Sequence, residues 1–423
     1  MTQNAESQEK PVNLTNCADE PIHIPGRIQP HGALLILSEP ELVVRQAGAN
    51  SGRLLGVDLE SLLGSRVEDL VAADDRDRVR RWLASDEVRE SSPVRLRLGV
   101  GPREVAFDAT AHRRKGRLIL ELENPDPQGP EPDFAASLRS AMPRLEAASS
   151  IREFCQVLAM KTRALTQFER VLVYRFDHDW HGQVYAEDHA EGLAPLLGLH
   201  FPASDIPEQA RRLYEENRSR LIADADAAPA PIVPALDPET GEPVDLGLAI
   251  LRAVSPIHIR YLKNMGTKTS MSFSLMRGDR LWGLLSCMNY SRARYASPTV
   301  RNICETLAAV FSMQIEAKEE EEGHGYRARL QGVRDGLLQR MAEEPDLPSV
   351  FQKHGDDFLQ LAGAQGAALV SDRTYEAVGL VPSEDRVRAI VAWLREEPRG
   401  DVFATDSLPR LFPEAEAYKD EAC

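Results

Sequence analysis

Cys17 is the residue whose side chain is best suited to forming a covalent bond. It ends the polar stretch MTQNAESQEKPVNLTNC, before any periodic pattern begins. A thiolate is a strong nucleophile, so this cysteine could attach a ligand, and an idle thiol is the alternative. The other cysteines are at 155, 287, 304 and 423. They form no C-x-x-C pair and the total is odd, so no disulfide framework or structural zinc site is expected. Cys155, Cys287 and Cys304 lie in apolar patterns and are predicted to be small core residues.

Three further positions combine polar side chains with informative spacing. Asp205 precedes the letters IPE, which predicts that it is the N-cap of a helix. His258 and Tyr261 are three residues apart on a predicted helix and therefore share a face. Ser270 and Ser272 are two apart on a predicted strand and point to the same side. Ordinary capping and packing would also explain these residues, so their spacing alone assigns no function.

The elements that must position these residues fall into three blocks. In the first block, strands are predicted over 33–37, 42–46, 94–100, 103–111 and 118–123, with short helices near 67–70 and 74–84. This α+β order is typical of a small sensor domain with helices on one face of a sheet. The run NPDPQGPEPD, residues 124–133, has four prolines and is predicted to be a linker.

The second block begins with helical periodicity over 134–166. Strands follow at 170–176 and 182–186, then a helix after Asp205, a long Pro- and Ala-rich loop over 224–247, a helix at 256–265 and a hairpin over 269–276 and 280–290. Helical spacing from 298 to about 343 predicts a connecting, dimer-forming helix, which Gly323 and Gly325 could interrupt. The third block has a predicted helix at 347–361, a strand at 366–370 and a helix at 384–396. It is expected to be the first part of a truncated α+β domain, without its closing strands.

Composition limits the class of protein. The chain has 423 residues, enough for two or three domains, and its 50 basic against 66 acidic side chains give a net charge of −16. Such a charge disfavours nucleic acid as a general partner. No apolar run approaches the roughly 20 residues that span a bilayer, and the N-terminus lacks the apolar core of a secretory signal. We therefore expect a cytoplasmic protein without a membrane or nucleic-acid partner.

Four stretches carry a resemblance that covers essentially the whole chain. They are NCADEPIHIPGRIQPHGALL (16–35), FPASDIP (201–207), SPIHIRYLKNMG (255–266) and LWGLLSC (281–287). In this order and spacing they resemble the bacteriophytochromes, the bilin-binding red-light receptors of bacteria. The resemblance implies an attachment segment (1–30), a PAS domain (31–123), a linker (124–133), a GAF domain with the long helix (134–318) and the start of a PHY domain (319–423). It also implies an antiparallel sheet with flanking helices in both PAS and GAF domains, and a knot in which the N-terminal lead passes through a GAF loop.

The resemblance implies a cofactor, biliverdin, and a role for each matching residue. Cys17 would form a thioether with the ring A vinyl group. Asp205, with Ile206 beside it, would accept the pyrrole N–H groups through its backbone carbonyl, and His258 would contact the ring nitrogens through water. The two propionates would be bound by cations and hydroxyl groups, and ring D would lie against an aromatic wall. The residues implied for the propionates are Arg220, Arg252, Ser255, Ser270, Ser272 and Tyr214. The residues implied for the aromatic wall are Tyr174, Phe201 and Tyr261.

Met288 is a departure from the family pattern. After LWGLLSC the family has a histidine that binds the ring D carbonyl, whereas this sequence has Met288 and Asn289. Methionine cannot donate a hydrogen bond. Asn289 can, but adjacent strand residues point to opposite faces, so it would need a bulge to reach the same site.

The resemblance implies a red/far-red photoreceptor that signals by isomerising its bilin. A GAF-type sensor that binds a tetrapyrrole or another small molecule without photoconversion is the alternative. A thiol enzyme is a weaker hypothesis, because no orienting group or oxyanion-hole motif accompanies Cys17. No kinase glycine motif occurs in these 423 residues, so a kinase output would lie on a longer chain. The expected partners are a second copy, through GAF and connector helices, and a downstream signalling domain or response regulator.

Overall fold

The computed structural model describes residues 19–89, 93–98, 105–124, 132–396, 402–405 and 407–422. Cys17, Cys423 and most of the predicted linker at 124–133 lie outside the described residues. The chain divides into two units, residues 1–318 and 319–423. In the described part, no helix has the length and apolar character needed to cross a membrane.

The first sheet of unit 1 carries the PAS-like block. Its strands are β1 (Arg27–Ile28), β2 (Gly32–Ser38), β3 (Val43–Gly48), β4 (Val94–Leu98), β5 (Val105–Arg114), β6 (Arg117–Glu123) and β11 (Ala230–Val233). They are antiparallel in the order β1-β11-β3-β2-β6-β5-β4. Four short helices lie between β3 and β4: α1 (Ser51–Leu55), α2 (Leu59–Leu62), α3 (Val67–Leu70) and α4 (Arg76–Ala84). The predicted strands and helices of this block are confirmed, apart from the parts of two strands that lie outside the described residues.

Strand β2 is buried on both faces, which explains its continuous apolar sequence GALLILS. Leu35 and Leu37 pack into the core formed with α1 to α4. Leu34 and Ile36 point the other way and pack into the core of the next domain. Because strand side chains alternate between faces, one strand contributes to two cores, and the first sheet is covered on both sides.

The second sheet of unit 1 forms the GAF-like block. Its strands are β7 (Arg170–Phe176), β8 (Gly182–His189), β9 (His200–Phe201), β10 (Ser219–Ile222), β12 (Thr269–Arg277) and β13 (Arg280–Asn289). They are antiparallel in the order β10-β12-β13-β7-β8-β9. The helices are α5 (Phe134–Ala147), α6 (Ile151–Thr166), α7 (Glu208–Glu216), α8 (Pro256–Asn264) and α9 (Pro298–Glu343). Helix α9 continues through Gly323 and Gly325, so the interruption considered above does not occur.

The segment before β2 is held between two parts of the second block. Strand β1 pairs with β11, which lies inside the predicted 224–247 loop. On the other side, the N–H groups of Leu246 and Ala253 donate to the carbonyls of His23 and Arg27 at 2.8 and 3.1 Å. The segment before β2 therefore has hydrogen bonds to the second block on both of its sides, as expected of a segment that this loop encloses. The prediction that 224–247 is entirely loop is wrong, because β11 acquires its pairing partners only in the folded chain.

Unit 2 contains the end of α9, then α10 (Leu347–Lys353), α11 (Gly355–Ala362), β14 (Gly366–Val370), β15 (Tyr375–Gly379), α12 (Glu384–Glu396), α13 (Leu408–Leu411) and α14 (Lys419–Ala422). Two predictions for this block are wrong. The single helix predicted over 347–361 breaks at His354, where the following Gly355 packs so closely against Val378 that a Cβ atom there would lie 2.7 Å from that side chain. Strand β14 also has a closing partner in β15.

Candidate functional site

A cavity of about 780 Å³ lies in unit 1, between the second sheet, helices α7 and α8, and the segment before β1. Its size is that of a site for a ligand as large as a cofactor. It brings together every predicted site residue that the structure describes: Tyr174, Phe201, Asp205, Ile206, Tyr214, Arg220, Arg252, Ser255, His258, Tyr261, Ser270, Ser272 and Met288. Cys17 lies outside the described residues. Placement in one cavity does not test binding, so the role of each residue stays a prediction.

The alternation of β12 and β13 sets the floor of the cavity. Ser270 and Ser272 of β12 face the cavity, as their spacing predicts, while Met271 and Phe273 pack into the core on the opposite face. On β13 the cavity side carries Leu284, Ser286 and Met288. The two-residue period therefore separates a lining of hydroxyl and apolar groups from the core behind it.

The prediction that Asp205 is an N-cap is wrong. Asp205 ends a short 3-10 turn, and the cap of α7 falls on Pro207. Its carboxylate instead accepts a hydrogen bond from the Tyr261 hydroxyl at 3.3 Å. Burial, together with the Asp205 charge, raises the pKa of Tyr261 to about 12, so this hydroxyl keeps its proton. The side chain therefore links the turn before α7 to α8 across the cavity, rather than starting a helix.

The backbone of the Asp205 turn is fixed by Arg211. Its guanidinium donates to the carbonyl of Ile206 at 2.6 Å and to that of Ala203 at 3.4 Å. The same guanidinium stacks over Trp180 at 4.7 Å from the ring centroid. The orientation of the carbonyl groups in this turn thus depends on contacts outside it, which the motif letters alone do not show.

His258 and Tyr261 share a face of α8, as predicted. Their rings are stacked with centroids 5.9 Å apart, and Ser255 caps the helix by accepting the N–H of Ile257 at 3.3 Å. Burial, helped by the nearby charge of Arg220, lowers the pKa of His258 to about 4. The imidazole is therefore neutral at pH 7 and carries both a hydrogen-bond donor and an acceptor nitrogen.

Arg220 and Arg252 place two buried guanidinium groups at one end of the cavity. Arg220 donates to the backbone carbonyls of Ile250, Arg252 and Ala253 at 3.2, 2.5 and 3.3 Å. Arg252 donates to the carbonyl of Ile22 at 2.7 Å, and its buried Nε has no partner among the described residues. Burial lowers the pKa of Arg252 to about 10, which still leaves it charged at pH 7. A buried cationic N–H without an acceptor is costly, and a ligand carboxylate would satisfy it.

An aromatic wall closes another side of the cavity. The Tyr174 ring lies 6.0 Å from that of Phe201 and 5.3 Å from that of Phe176, measured between centroids. Gly182 makes room for it, because a Cβ atom there would overlap the Tyr174 ring. Burial and the Asp205 charge raise the pKa of Tyr174, so its hydroxyl is neutral. The wall thus combines a large apolar surface with a polar tip.

Met288 lines the cavity and Asn289 does not. No bulge interrupts the pairing of β13 at these residues. The Asn289 side chain points away, accepting the N–H of Glu169 at 3.2 Å and donating to the carbonyl of Arg292 at 2.9 Å. The bulge that would bring Asn289 into the site is therefore excluded.

Ser286 and Glu20 are among the lining residues that sequence reasoning missed. Ser286 lies two residues before Met288 on the same strand face, and its hydroxyl is 3.5 Å from that of Ser272. The spacing to Met288 could have identified it. Glu20 also lines the cavity and accepts the Ser255 hydroxyl at 2.6 Å. No local signal could have placed it beside a residue 235 positions later.

Comparisons with known proteins identify the family. Residues 17–125 match the PAS fold, residues 150–317 the GAF domain and residues 330–423 the phytochrome region. The photosensory core module of the Stigmatella aurantiaca phytochrome is 42% identical, with a TM-score of 0.74 over 96% of this chain and 81% of that chain. The chain belongs to the phytochrome family. The predicted order of PAS, GAF and PHY domains is confirmed.

Further phytochromes extend the likeness. A bacteriophytochrome structure from R. palustris is 39% identical, with a TM-score of 0.76 over 96% of this chain and 81% of that one. The bacteriophytochrome of Xanthomonas campestris is 32% identical over 96% of this chain and 64% of its own length. Cyanobacterial phytochrome B of Nostoc sp. is 39% identical over 97% of this chain and 55% of its own length. The chain thus spans about half the length of its cyanobacterial relatives.

The cavity fits the linear tetrapyrrole chromophore of phytochromes. The unpartnered Nε of Arg252 and the hydroxyls of β12 suit carboxylate side chains, while the aromatic wall suits a flat conjugated ring. The neutral His258 offers an acceptor to pyrrole N–H groups. The cavity lining thus contains acceptors, cations and apolar surface, the three kinds of group that such a molecule needs.

Proposed function

We propose that this phytochrome chain is the light-sensing part of a red/far-red photoreceptor that holds biliverdin in the cavity and is attached to it through Cys17. The observation that carries the proposal is the assembly of all thirteen described site residues in one cavity. When bound, the bilin supplies the light absorption and the double bond that isomerises. The protein residues bind, orient and shield it.

The ionised and hydroxyl groups divide the cavity into a polar and an apolar end. Arg220 and Arg252 would hold the propionates, with Ser255, Ser270 and Ser272 as additional donors. Tyr174 and Phe201, whose ring centroids are 6.0 Å apart, would lie against ring D, the ring that rotates. Ligand binding at the polar end and movement at the apolar end can thus occur in one site.

Glu20 supports attachment through Cys17. Its carboxylate is anchored on Ser255 at the cavity. Cys17 precedes Glu20 by three positions. An extended chain spans at most about 3.6 Å per residue, so the Cα atoms of these two residues can lie no more than about 11 Å apart. Cys287, by contrast, is buried in the core behind the sheet, where burial raises its pKa and keeps it as an unreactive thiol. These observations support Cys17, rather than Cys287, as the attachment residue.

The test combines a spectrum with a denaturing gel. The chain is assembled with biliverdin, illuminated alternately with red and far-red light, and the gel is stained for zinc-induced fluorescence of a covalent bilin. We expect reversible spectral changes, and a fluorescent band that Cys17→Ser abolishes while binding without the bond is retained. Bound bilin without any light-induced change would favour the non-photoconverting sensor. A band that persists in Cys17→Ser would place the attachment elsewhere.

The proposal also includes the oligomeric state of the chain and the partners to which it signals. We expect the chain to form a homodimer through the GAF and connector helices and to signal to a downstream domain or response regulator. Phytochromes are generally dimeric, and α9 is a continuous 46-residue helix with Met313 75% exposed on it. Leu338 and Met341 are further exposed apolar side chains of this helix, and several of them on one helix favour a helix–helix contact between subunits.

A further inference from the structure

The backbone at residues 250–253 holds the buried arginine of the cavity. Arg220 is 8% exposed and donates to three carbonyl groups of this stretch. Gln29 donates its amide to the carbonyls of Ile250 and Arg252 at 3.2 and 3.4 Å, and its backbone N–H to that of Leu251 at 2.7 Å. The direction of the Arg220 side chain therefore depends on where this backbone lies.

Glu121 holds the same backbone from the opposite side. This glutamate lies on β6 of the PAS sheet, is 2% exposed and does not line the cavity. Its Oε1 accepts the N–H of Ile250 at 3.2 Å, and its Oε2 accepts the N–H of Leu251 at 2.7 Å. Each carboxylate oxygen thus binds one of two successive peptide groups, which fixes both the position and the orientation of the segment.

The surroundings of Glu121 allow its charge to vary near neutral pH. Burial, reinforced by the charge of Glu123, raises the pKa of Glu121 to about 7. Its charge in turn favours the protonated form of Arg220, which burial disfavours. The titratable and charged groups that face Glu121 are His112 on β5, 3.8 Å away, Glu123 on the same strand and Arg301 on α9. Glu121 in turn acts on Arg220 of β10. Arg89, Arg114 and Asp245 act on His112.

We propose that Glu121 is a positioning residue for the carboxylate site of the cavity, fixing the backbone that fixes Arg220. The proposal rests on the proposed function, because the ligand carboxylates are those of the bilin. In this proposal the PAS domain contributes to the binding site through β6, although no residue of β6 contacts the ligand. Loss of the Glu121 charge leaves one of the two backbone N–H groups without its acceptor and weakens the hold on Arg220.

The experiment follows covalent attachment at increasing biliverdin concentrations, which separates the half-saturating concentration from the limiting rate. For Glu121→Gln at pH 8 we expect the half-saturating concentration to rise about tenfold, with the limiting rate within twofold of the unmodified chain. Biliverdin dimethyl ester, which lacks free carboxylates, should show no such difference between the two chains. The matched control is Asp108→Asn. Asp108 is another buried carboxylate on the first sheet, and it accepts a hydrogen bond from Arg95 at 2.8 Å.

The pH profile supplies the second readout. The half-saturating concentration of the unmodified chain should rise as the pH falls from 8 to 6, and Glu121→Gln should remove that change, because it resembles the protonated state throughout. If Glu121→Gln raises the half-saturating concentration equally for biliverdin and for its dimethyl ester, Glu121 has a general structural role and the proposal is overturned. A pH profile that Glu121→Gln leaves unchanged would overturn it as well. If the unmodified chain attaches no biliverdin at all, the proposed function itself fails, which is a distinct result.

Discussion

At the scale of single residues, Met288 limits the hydrogen bonds that the cavity face of β13 can offer a ligand. The cavity face of β13 carries Leu284, Ser286 and Met288, and the hydroxyl pair of Ser272 and Ser286 lies on the same surface. The Met288 sulfur accepts the Tyr290 hydroxyl at 3.5 Å and offers no proton to a ligand. On this face of β13, a ring carbonyl could therefore accept a hydrogen bond from a hydroxyl group but not from an imidazole.

Met288→His should change the photochemistry without preventing assembly. One hydrogen bond contributes only about 0.5–1.5 kcal/mol net, so bilin binding should be retained. The same energy, if it differs between the two photostates, changes their thermal equilibrium by up to about tenfold, since about 1.4 kcal/mol corresponds to a factor of ten. We expect altered photoconversion yield and dark-reversion rate, measured from absorbance after red illumination.

Ser286→Ala is the companion variant for this prediction. If the hydroxyl pair holds the ring carbonyl, removing one hydroxyl should change the same two quantities in the opposite direction from Met288→His. Unchanged yield and reversion in both variants would mean that neither position contacts ring D.

At the scale of elements, sequence periodicity correctly predicted the features that depend only on residues close together in the chain. The hairpin of β12 and β13 and the shared face of His258 and Tyr261 follow from the periods of strand and helix, and both are confirmed. The predicted cap at Asp205 failed because Tyr261, 56 residues away, binds its carboxylate. Strand β11 was missed because its pairing with β1 and β3 exists only once the segment before β2 is in place.

The site itself shows the same division. The thirteen described site residues came from the family resemblance, and the structure collects them in one cavity. Glu20 and Glu121 could not be found in this way, because their partners lie 235 and 129 or 130 positions along the chain. A sequence pattern indicates which side chains share a face, but the long-range hydrogen bonds that orient them depend on the complete fold.

Another long-range contact joins β6 to α9. The Glu123 carboxylate accepts two hydrogen bonds from Arg301 at 3.1 and 2.5 Å, and one from the Tyr295 hydroxyl at 3.2 Å. Burial opposes ionisation of Glu123, yet Arg301 and His31 outweigh it and lower its pKa to about 2. The start of the long helix is thus tied to the PAS sheet by a buried charge pair.

Arg301→Ala should strongly destabilise unit 1. Removing one partner leaves a buried carboxylate without its compensating charge, which typically costs about 3–5 kcal/mol. Arg80→Ala is the matched control, since Arg80 also forms a two-bond pair, with Glu68, but its side chain is 55% exposed against 7% for Arg301. We expect the control to cost about 0–1 kcal/mol. Denaturant unfolding followed by circular dichroism measures both, and similar costs would show that the Glu123 pair does not tie the two elements together.

At the scale of the whole molecule, the cavity is built from parts that are far apart in sequence but belong to one unit. Its lining runs from Glu20 to Met288, all within residues 1–318. The segment before β1, the PAS sheet through Glu121, and the GAF sheet and helices each contribute. The chromophore-binding domain of the Stigmatella aurantiaca phytochrome, solved as a separate chain, covers 70% of this chain at 45% identity. The described lining of the cavity therefore includes no residue of 319–423.

A chain of residues 1–318 should bind biliverdin as the 423-residue chain does. Because every described lining residue is retained, we expect half-saturating concentrations for attachment that agree within twofold, and an increase in the unfolding temperature when the bilin is bound. Residues 319–423 alone, the control, should attach none. A tenfold weaker binding by the shorter chain would show that the PHY region contributes to the bilin site itself. Equal binding with a reduced photoconversion yield would instead assign that region to the light-induced change, because it would alter the photostates while leaving the carboxylate and attachment contacts intact.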